Sequence, residues 1–378
     1  MPAPETVPLQ DLVAEAQRVL AICNACRYCE GYCAVFPALE RRLSFSEGDV
    51  HYLANLCHNC GSCLYACQYA PPHEFQLDFP RILAQVRGES YRRYAWPAAL
   101  GRLFRGNGTA VTIATVASLV LAFAFLAMFA GTERFFSAWT DGQGSFYALL
   151  PHGPMAAIFG VAFAAAMAVL AAGFARFWRD TGEPPGELLG GSTASAAADA
   201  LTLRYLDGGG DGCTYPDAKP SFARRRFHHL TFYGFLLCFA ATCVATVYHY
   251  AFGWEAPYAF ASLPVLLGTA GGIGLVAGPI GLLALKARRD PELADPAQSG
   301  MDVAFLALLF LTGATGLLLL AFRETAAMGT LLAAHLAMVL ALFATMPYGK
   351  FVHAIYRVAA LARFHIERRR PVPDVAAE

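Results

Sequence analysis

At 378 residues the chain has room for two or three domains. Hydrophobic residues make up 57% and charged ones 15%, too apolar a mixture for an ordinary soluble protein. The 28 basic and 28 acidic residues cancel, so net charge selects no partner, and nucleic acid is not expected as one.

Residues 1–105 are mixed in polarity and end in a basic stretch, Arg92-Arg93 and then Arg102 to Arg105. Glu5, Asp11 and Glu15 interrupt the first twenty residues and no apolar run precedes them, so no secretory signal is expected. Eight of the 11 cysteines fall between Cys23 and Cys67. Cys23-x2-Cys26-x2-Cys29-x3-Cys33 is repeated as Cys57-x2-Cys60-x2-Cys63-x3-Cys67. Three closely spaced thiolates wrap three corners of a [4Fe–4S] cubane, and in two-cluster ferredoxins the fourth cysteine serves the other cluster. The expected ligand sets are therefore Cys23, Cys26, Cys29 and Cys67 for one cluster, and Cys57, Cys60, Cys63 and Cys33 for the other. Zinc sites prefer paired CxxC units, and disulfides are rare in the cytoplasm, where the loop charges below place this region. Pro37 and Pro71-Pro72 follow the fourth cysteines at a distance instead of directly.

Between the motifs, residues 39–56 show loop and helix character without strand alternation. That favours the α-helical ferredoxin of succinate dehydrogenase and heterodisulfide reductase subunits over the small βαβ type. His51, His58 and His73 are expected at the surface or behind the cysteines, not as ligands.

Six apolar segments follow, near 109–130, 154–175, 230–251, 259–285, 301–321 and 328–347. Each approaches or exceeds the ~20 residues needed to cross a ~30 Å hydrocarbon core. If the N-terminal region is cytoplasmic, the outside loops 131–153, 252–258 and 322–327 hold Arg134 and Arg323, and 26 of the 28 basic residues lie inside. Both termini are thus expected in the cytoplasm. The inside insertion 178–227 opens flexibly and carries Asp207-Gly-Gly-Gly-Asp-Gly-Cys213-Thr-Tyr-Pro216. Cys213 has no assigned role, and Cys238 and Cys243 read as small apolar packing residues. In the fourth segment, Gly268-Thr-Ala-Gly-Gly-Ile-Gly274 reads as a close-packing stripe.

Ionisable residues inside spans are costly and by default functional. His228, His229 and His249 bracket the third span; His335 lies in the sixth, which is expected to run on to His353. Spans three and six are antiparallel, so His249 and His335 fall near the outer face, and His228 or His229 with His353 near the inner one. Bis-histidine ligation of one or two haem b groups follows as an expectation. His335 and His353 are five whole turns apart if the helix is continuous, at ~100° per residue. His228 lies about 60° out of phase with His249, and His229 about 160°, which favours His228 and keeps His229 as its alternative. His152 and His365 are expected to be structural or solvated.

The double cysteine motif, Arg204-Tyr-Leu-Asp-Gly-Gly-Gly-Asp-Gly-Cys-Thr-Tyr-Pro-Asp217 and Arg225-Arg-Phe-His-His-Leu-Thr-Phe-Tyr-Gly-Phe235 together resemble the citrate/tricarballylate utilization protein B family (CitB, TcuB). The likeness continues through Ser262–Thr269 and Lys286–Pro291 and covers nearly the whole chain. The resemblance implies a bacterial inner-membrane protein that reoxidises the FAD of a tricarballylate dehydrogenase-like flavoprotein and delivers the electrons to quinone. No GxGxxG motif, base or nucleophile of the chain's own is evident, so no catalytic residue is expected and substrate dehydrogenation falls to the partner. The alternatives are a redox-sensing or transporting protein for citrate-like tricarboxylates, and a subunit of a heterodisulfide-reductase-like complex. The fold expected is all-α. A double [4Fe–4S] ferredoxin-like domain (1–105) is followed by spans one and two (106–177), a Gly-rich loop (178–227), spans three to six (228–353) and a basic tail (354–378).

Overall fold

The computed structural model describes residues 9–104, 108–138, 145–293 and 295–371. Glu5, Arg105, residues 139–144 of the expected outer loop, and the end of the tail lie outside the described residues.

Among the described residues the chain is all-α apart from one hairpin of two-residue strands. The head comprises α1 (Leu9–Cys26), α2 (Val35–Leu39), α3 (Glu47–Leu56), α4 (Ser62–Tyr65), α5 (Phe79–Arg93) and α6 (Ala98–Leu103). Local chemistry sets these boundaries. Ser46 and Asp49 cap α3 reciprocally, each side chain taking the other's backbone N–H. Asp78 caps α5, whose second residue is Pro80. Tyr52, Leu53, Leu56 and Leu83 bury the shared faces of α3 and α5 completely.

Six helices are long and apolar enough to cross a membrane: α7 (Gly108–Ala130), α10 (His152–Asp180), α12 (Ala223–Phe252), α13 (Leu263–Ala287), α14 (Ser299–Phe322) and α15 (Met328–Thr345). Short α8 (Thr132–Phe135) and α9 (Ser145–Leu149) join α7 to α10. After α10 comes α11 (Gly191–Leu201), then β1 (Cys213–Thr214) paired antiparallel with β2 (Pro220–Ser221).

Several glycines of α13 lie along its contact with α12, while Gly272 faces Leu317 of α14. A Cβ on Gly271 would stand 2.7 Å from Cys238, on Gly274 2.7 Å from the Leu230 carbonyl oxygen, and on Gly278 2.3 Å from Thr231. Cys238 is part of that seam, and Cys243 is exposed on α12.

The sixth span does not run on to His353. It ends at Thr345, a turn covers residues 346–351, and α16 (Val352–Arg369) begins afresh. Pro347 lacks the N–H that would continue the ladder, and Gly349 returns its own N–H to the Thr345 carbonyl at 2.8 Å. The whole-turn phase between His335 and His353 therefore has no continuous helix behind it. Nor is the segment after 353 a solvated tail. Tyr356, Ala359, Ala360, Arg363 and Glu367 are buried, and α16 packs on α3 of the head and on α11. Head and C-terminal helix thus lie at one end of the bundle.

Candidate iron–sulfur and haem sites

Each cysteine motif turns on a left-handed residue directly after its second cysteine: Arg27 (φ 55°) after Cys26, and Gly61 (φ 87°) after Cys60. Arginine is tolerated at the first because the loop is open. At the second, a Cβ would lie 2.3 Å from the Thr214 carbonyl oxygen, so only glycine fits beneath the Gly-rich loop.

The thiols gather crosswise. Cys23, Cys26, Cys29 and Cys67 line a cavity of about 200 Å³ together with Cys63, whose nearer thiol neighbours are Cys60, Cys57 and Cys33, and with Phe36, Leu77 and Phe79 as apolar wall. Burial, then the neighbouring thiols of Cys67 and Cys29, push the Cys23 thiol upward. Burial, then Cys67 and Cys26, push Cys29 up to about 12. Cys33 sits instead among the second motif: burial, then Cys60 and Cys57, raise its thiol. The first set, here the distal quartet, is half-exposed throughout. In the second, the proximal quartet, Cys57 and Cys60 are buried. Among the described residues no three ligand-type side chains close tightly enough round a single ion. Thiols spread around a common space suit a cubane better than a zinc ion, whose four ligands stand ~2.0–2.3 Å from the metal.

Three guanidinium groups converge on the proximal loop from three parts of the chain. Arg87 (α5) donates to the carbonyls of Ala54 and Cys57 at 3.1 and 2.9 Å. Arg357 (α16) donates to those of Asn55 and Cys57 at 3.2 and 2.7 Å. Arg224 (α12) donates to Asn59 at 2.5 Å and lies over the Tyr215 ring. None of the three is paired with a carboxylate among the described residues. Burial, then Arg87, bring Arg357 down to about 10. Buried positive charge without a counter-charge is costly, and four thiolates on a cubane supply a net negative one, so the proximal site fits that group.

The Gly-rich loop closes the other side. Cys213 is fully buried beside Cys60, Leu206, Tyr215 and Leu293. Its single S–H donates to the Leu206 carbonyl at 3.4 Å, and its sulfur packs beside Cys60, so that proton can turn to either acceptor. Sequence alone left Cys213 without a role; its place within the loop motif was the available signal.

His51 and His58 are not at the surface. His51 is fully buried with Nδ1 2.9 Å from the Ser90 hydroxyl, and His58 Nδ1 lies 2.9 Å from the Leu56 carbonyl. His73 is half-buried, packed against Tyr69 and Phe75.

Of the membrane histidines, His228 and His353 are brought together, their ring centres 6.1 Å apart and planes at 75°. Two imidazoles on opposite sides of one metal ion, each with a metal–nitrogen bond of ~2 Å, have ring centres roughly 6 Å apart. His353 Nδ1 lies 2.5 Å from the Lys350 carbonyl, which fixes it as the N–H and leaves Nε2 as the free acceptor. His228 Nδ1 is buried without a partner. The pair therefore fits an axial ligand set. His229 turns away toward Tyr233. At the opposite end, His249 stacks on His152, ring centres 3.6 Å apart and planes at 17°, with Tyr147 and Tyr250 edge-on. His335 Nδ1 lies 3.2 Å from the Thr315 hydroxyl, in space left by Gly316. No ring contact or hydrogen bond joins His249 to His335 among the described residues. His152 is thus a site neighbour that sequence reasoning set aside, although its depth matches that of His249. His365 is held by Asp199 at 2.8 Å.

The family model described as Citrate utilization protein B matches residues 103–374, and that of the Citrate utilization protein B Fer4-like domain matches residues 16–93. Citrate utilization protein B of Escherichia coli is 54% identical over 361 residues, spanning 94% of this chain and 93% of that protein. No solved structure matches. Head and membrane bundle are each covered, so the chain as a whole belongs to the citrate utilization protein B family.

Proposed function

We propose that this protein takes electrons from the reduced FAD of a partner dehydrogenase and delivers them to membrane quinone, through two [4Fe–4S] clusters and haem b. The observation that carries the reading is the crosswise grouping of eight cysteines, with one quartet half-exposed and the other held by Arg87 of the head, Arg224 of membrane helix α12 and Arg357 of α16. Cys23, Cys26, Cys29 and Cys67 hold the distal cluster, and Cys33, Cys57, Cys60 and Cys63 the proximal one. His228 and His353 hold a haem near the head. When bound, these groups supply one-electron redox chemistry that the side chains lack. The chain's own residues give the route its direction. Exposed Tyr28 beside the distal quartet, with Phe75 and Leu43 elsewhere on the head, offers a donor an apolar landing surface. His353 stands one turn before Arg357 on α16, so a single helix links the haem ligand to the Cys57 loop.

By resemblance the donor is a tricarballylate dehydrogenase-like flavoprotein, and the head lies on the cytoplasmic side of a bacterial inner membrane. A second haem between His249 and His335 would require His249 to leave His152, whereas His335 can keep Nδ1 on Thr315 and present Nε2; the same spectra count it.

Anaerobic purification followed by iron, sulfide, EPR and optical measurement tests the proposal. Expected are about eight iron atoms and eight labile sulfides per chain outside haem, as for two cubanes, with b-type haem bands. Cys26→Ser or Cys60→Ser should damage one cluster signal directly. A protein that binds zinc and no cluster, or that passes no electrons from reduced flavin to quinone, would refute it.

A further inference from the structure

We infer that Arg87, Arg224 and Arg357, with the thiol of Cys213, make the proximal quartet the higher-potential of the two cluster sites, so that an electron entering at the distal quartet is drawn inward and held beside the membrane helices. The inference rests on the reading that both quartets hold [4Fe–4S] clusters.

Reduction adds one negative charge to a site that is already anionic. Burial alone disfavours that charge and would lower the potential of the proximal site. Fixed positive charge opposes this. The three guanidiniums hold the Cys57–Asn59 backbone from three directions, and among the described residues no carboxylate pairs with them. Arg87 is buried and Arg224 and Arg357 are half-buried, so their charges act through a lower dielectric than water and are only partly screened by salt. Cys213, buried beside Cys60, can turn its one S–H from the Leu206 carbonyl to that ligand sulfur once it is a thiolate, and hydrogen bonds to the sulfurs shift cluster potentials. Among the described residues no arginine donates to the backbone of the distal cysteines: Arg27, next to Cys26, is exposed and donates to the carbonyl of Asn24 at 3.1 Å. The step itself moves one electron and no atom: the distal site is oxidised by one electron and the proximal site reduced by one. The reductant is the partner's reduced flavin and the final oxidant a quinone.

EPR-monitored redox titration of the full-length protein, purified anaerobically, tests this. The wild type should show two clusters with separate midpoint potentials. Arg357→Gln should lower the upper one, changing its reduced-to-oxidised ratio about tenfold, or about 59 mV for one electron, and leave the lower one in place. Arg357→Lys, which keeps the charge, should restore most of the shift. Cys213→Ala should move the same cluster in the same direction, and Cys213→Ser should move it less. A purely structural role would cost iron content without moving a potential. The inference is overturned if the upper potential stays fixed in both Arg357→Gln and Cys213→Ala at full iron content, or if the cluster that moves is the lower of the two. Should Arg357→Gln lose its iron, Cys213→Ala decides alone. A wild type without cluster signals would instead remove the proposed function beneath the inference.

Discussion

His51 shows how far a single side chain can carry a pH dependence. It is fully buried against Ser90, with Arg93, Asp180 and Glu47 as its charged neighbours, and burial lowers it from 6.5 to about 4. The unfolded chain therefore binds a proton near pH 6.5 that the folded head refuses until about 4. Stability is fully present above the unfolded value and is lost as pH falls through that window, by on the order of 2–3 kcal/mol at the limit. Thermal unfolding of wild type and His51→Gln between pH 7 and pH 4.5 checks it: the wild type should lose melting temperature faster. A second residue-scale prediction concerns the inner haem. His353→Ala should abolish its Soret absorbance, whereas His229→Ala should retain it, since His229 faces Tyr233. Helical phase favoured His228 over His229, and the structure sets His228 against His353 and His229 against Tyr233. The partner of His249 was not legible in the sequence, because the stacking of His152 depends on how α10 begins against the end of α12.

At the scale of elements, six spans and the cysteine-rich head were readable because length, hydropathy and ligand spacing are local properties. The seam between α12 and α13 was readable as composition, and the structure shows which glycines it needs. Gly278→Val would drive atoms into Thr231 and the Phe227 carbonyl, and should destabilise the bundle by about 1–3 kcal/mol or more. Gly268→Ala should be neutral, because its nearest neighbour would be Ala241 at 3.7 Å. Detergent melting curves of the two variants separate them. The break after Thr345 was missed because an apolar run masks a helix terminator, although Pro347 and Gly349 stood in it. Beyond the break, Arg42, Arg363, Asp49 and Glu367 form a buried charge network that fastens α16 to α3. Removing one member leaves the others uncompensated, a loss of ~3–5 kcal/mol for a buried pair. Glu367→Gln should therefore loosen α16, read as faster amide exchange over residues 352–369.

For the whole molecule, the topology makes a simple demand. Head and C-terminal helix share one end of the bundle, so reporter fusions at residue 378 and within 131–153 should report opposite sides of the membrane. Equal signals at both would contradict six crossings. Which side the head occupies follows from charge bias alone, and the same fusions read it. Long-range closure was the part the sequence could not display. Arg357 reaches the Cys57 carbonyl across a separation of 300 residues, and Arg224 reaches Asn59 across 165. Synthesis proceeds from the N-terminus, so the head emerges first and its last two clasps arrive much later. Until Arg224 has been made the Cys57 loop has neither; until α16 has been made it lacks Arg357. Metal-centre assembly at that loop has its widest access in this interval, and the final helix is the latch that ends it. A premature stop between Thr345 and Val352 would leave a protein with all eight motif cysteines, every span, and an unlatched door.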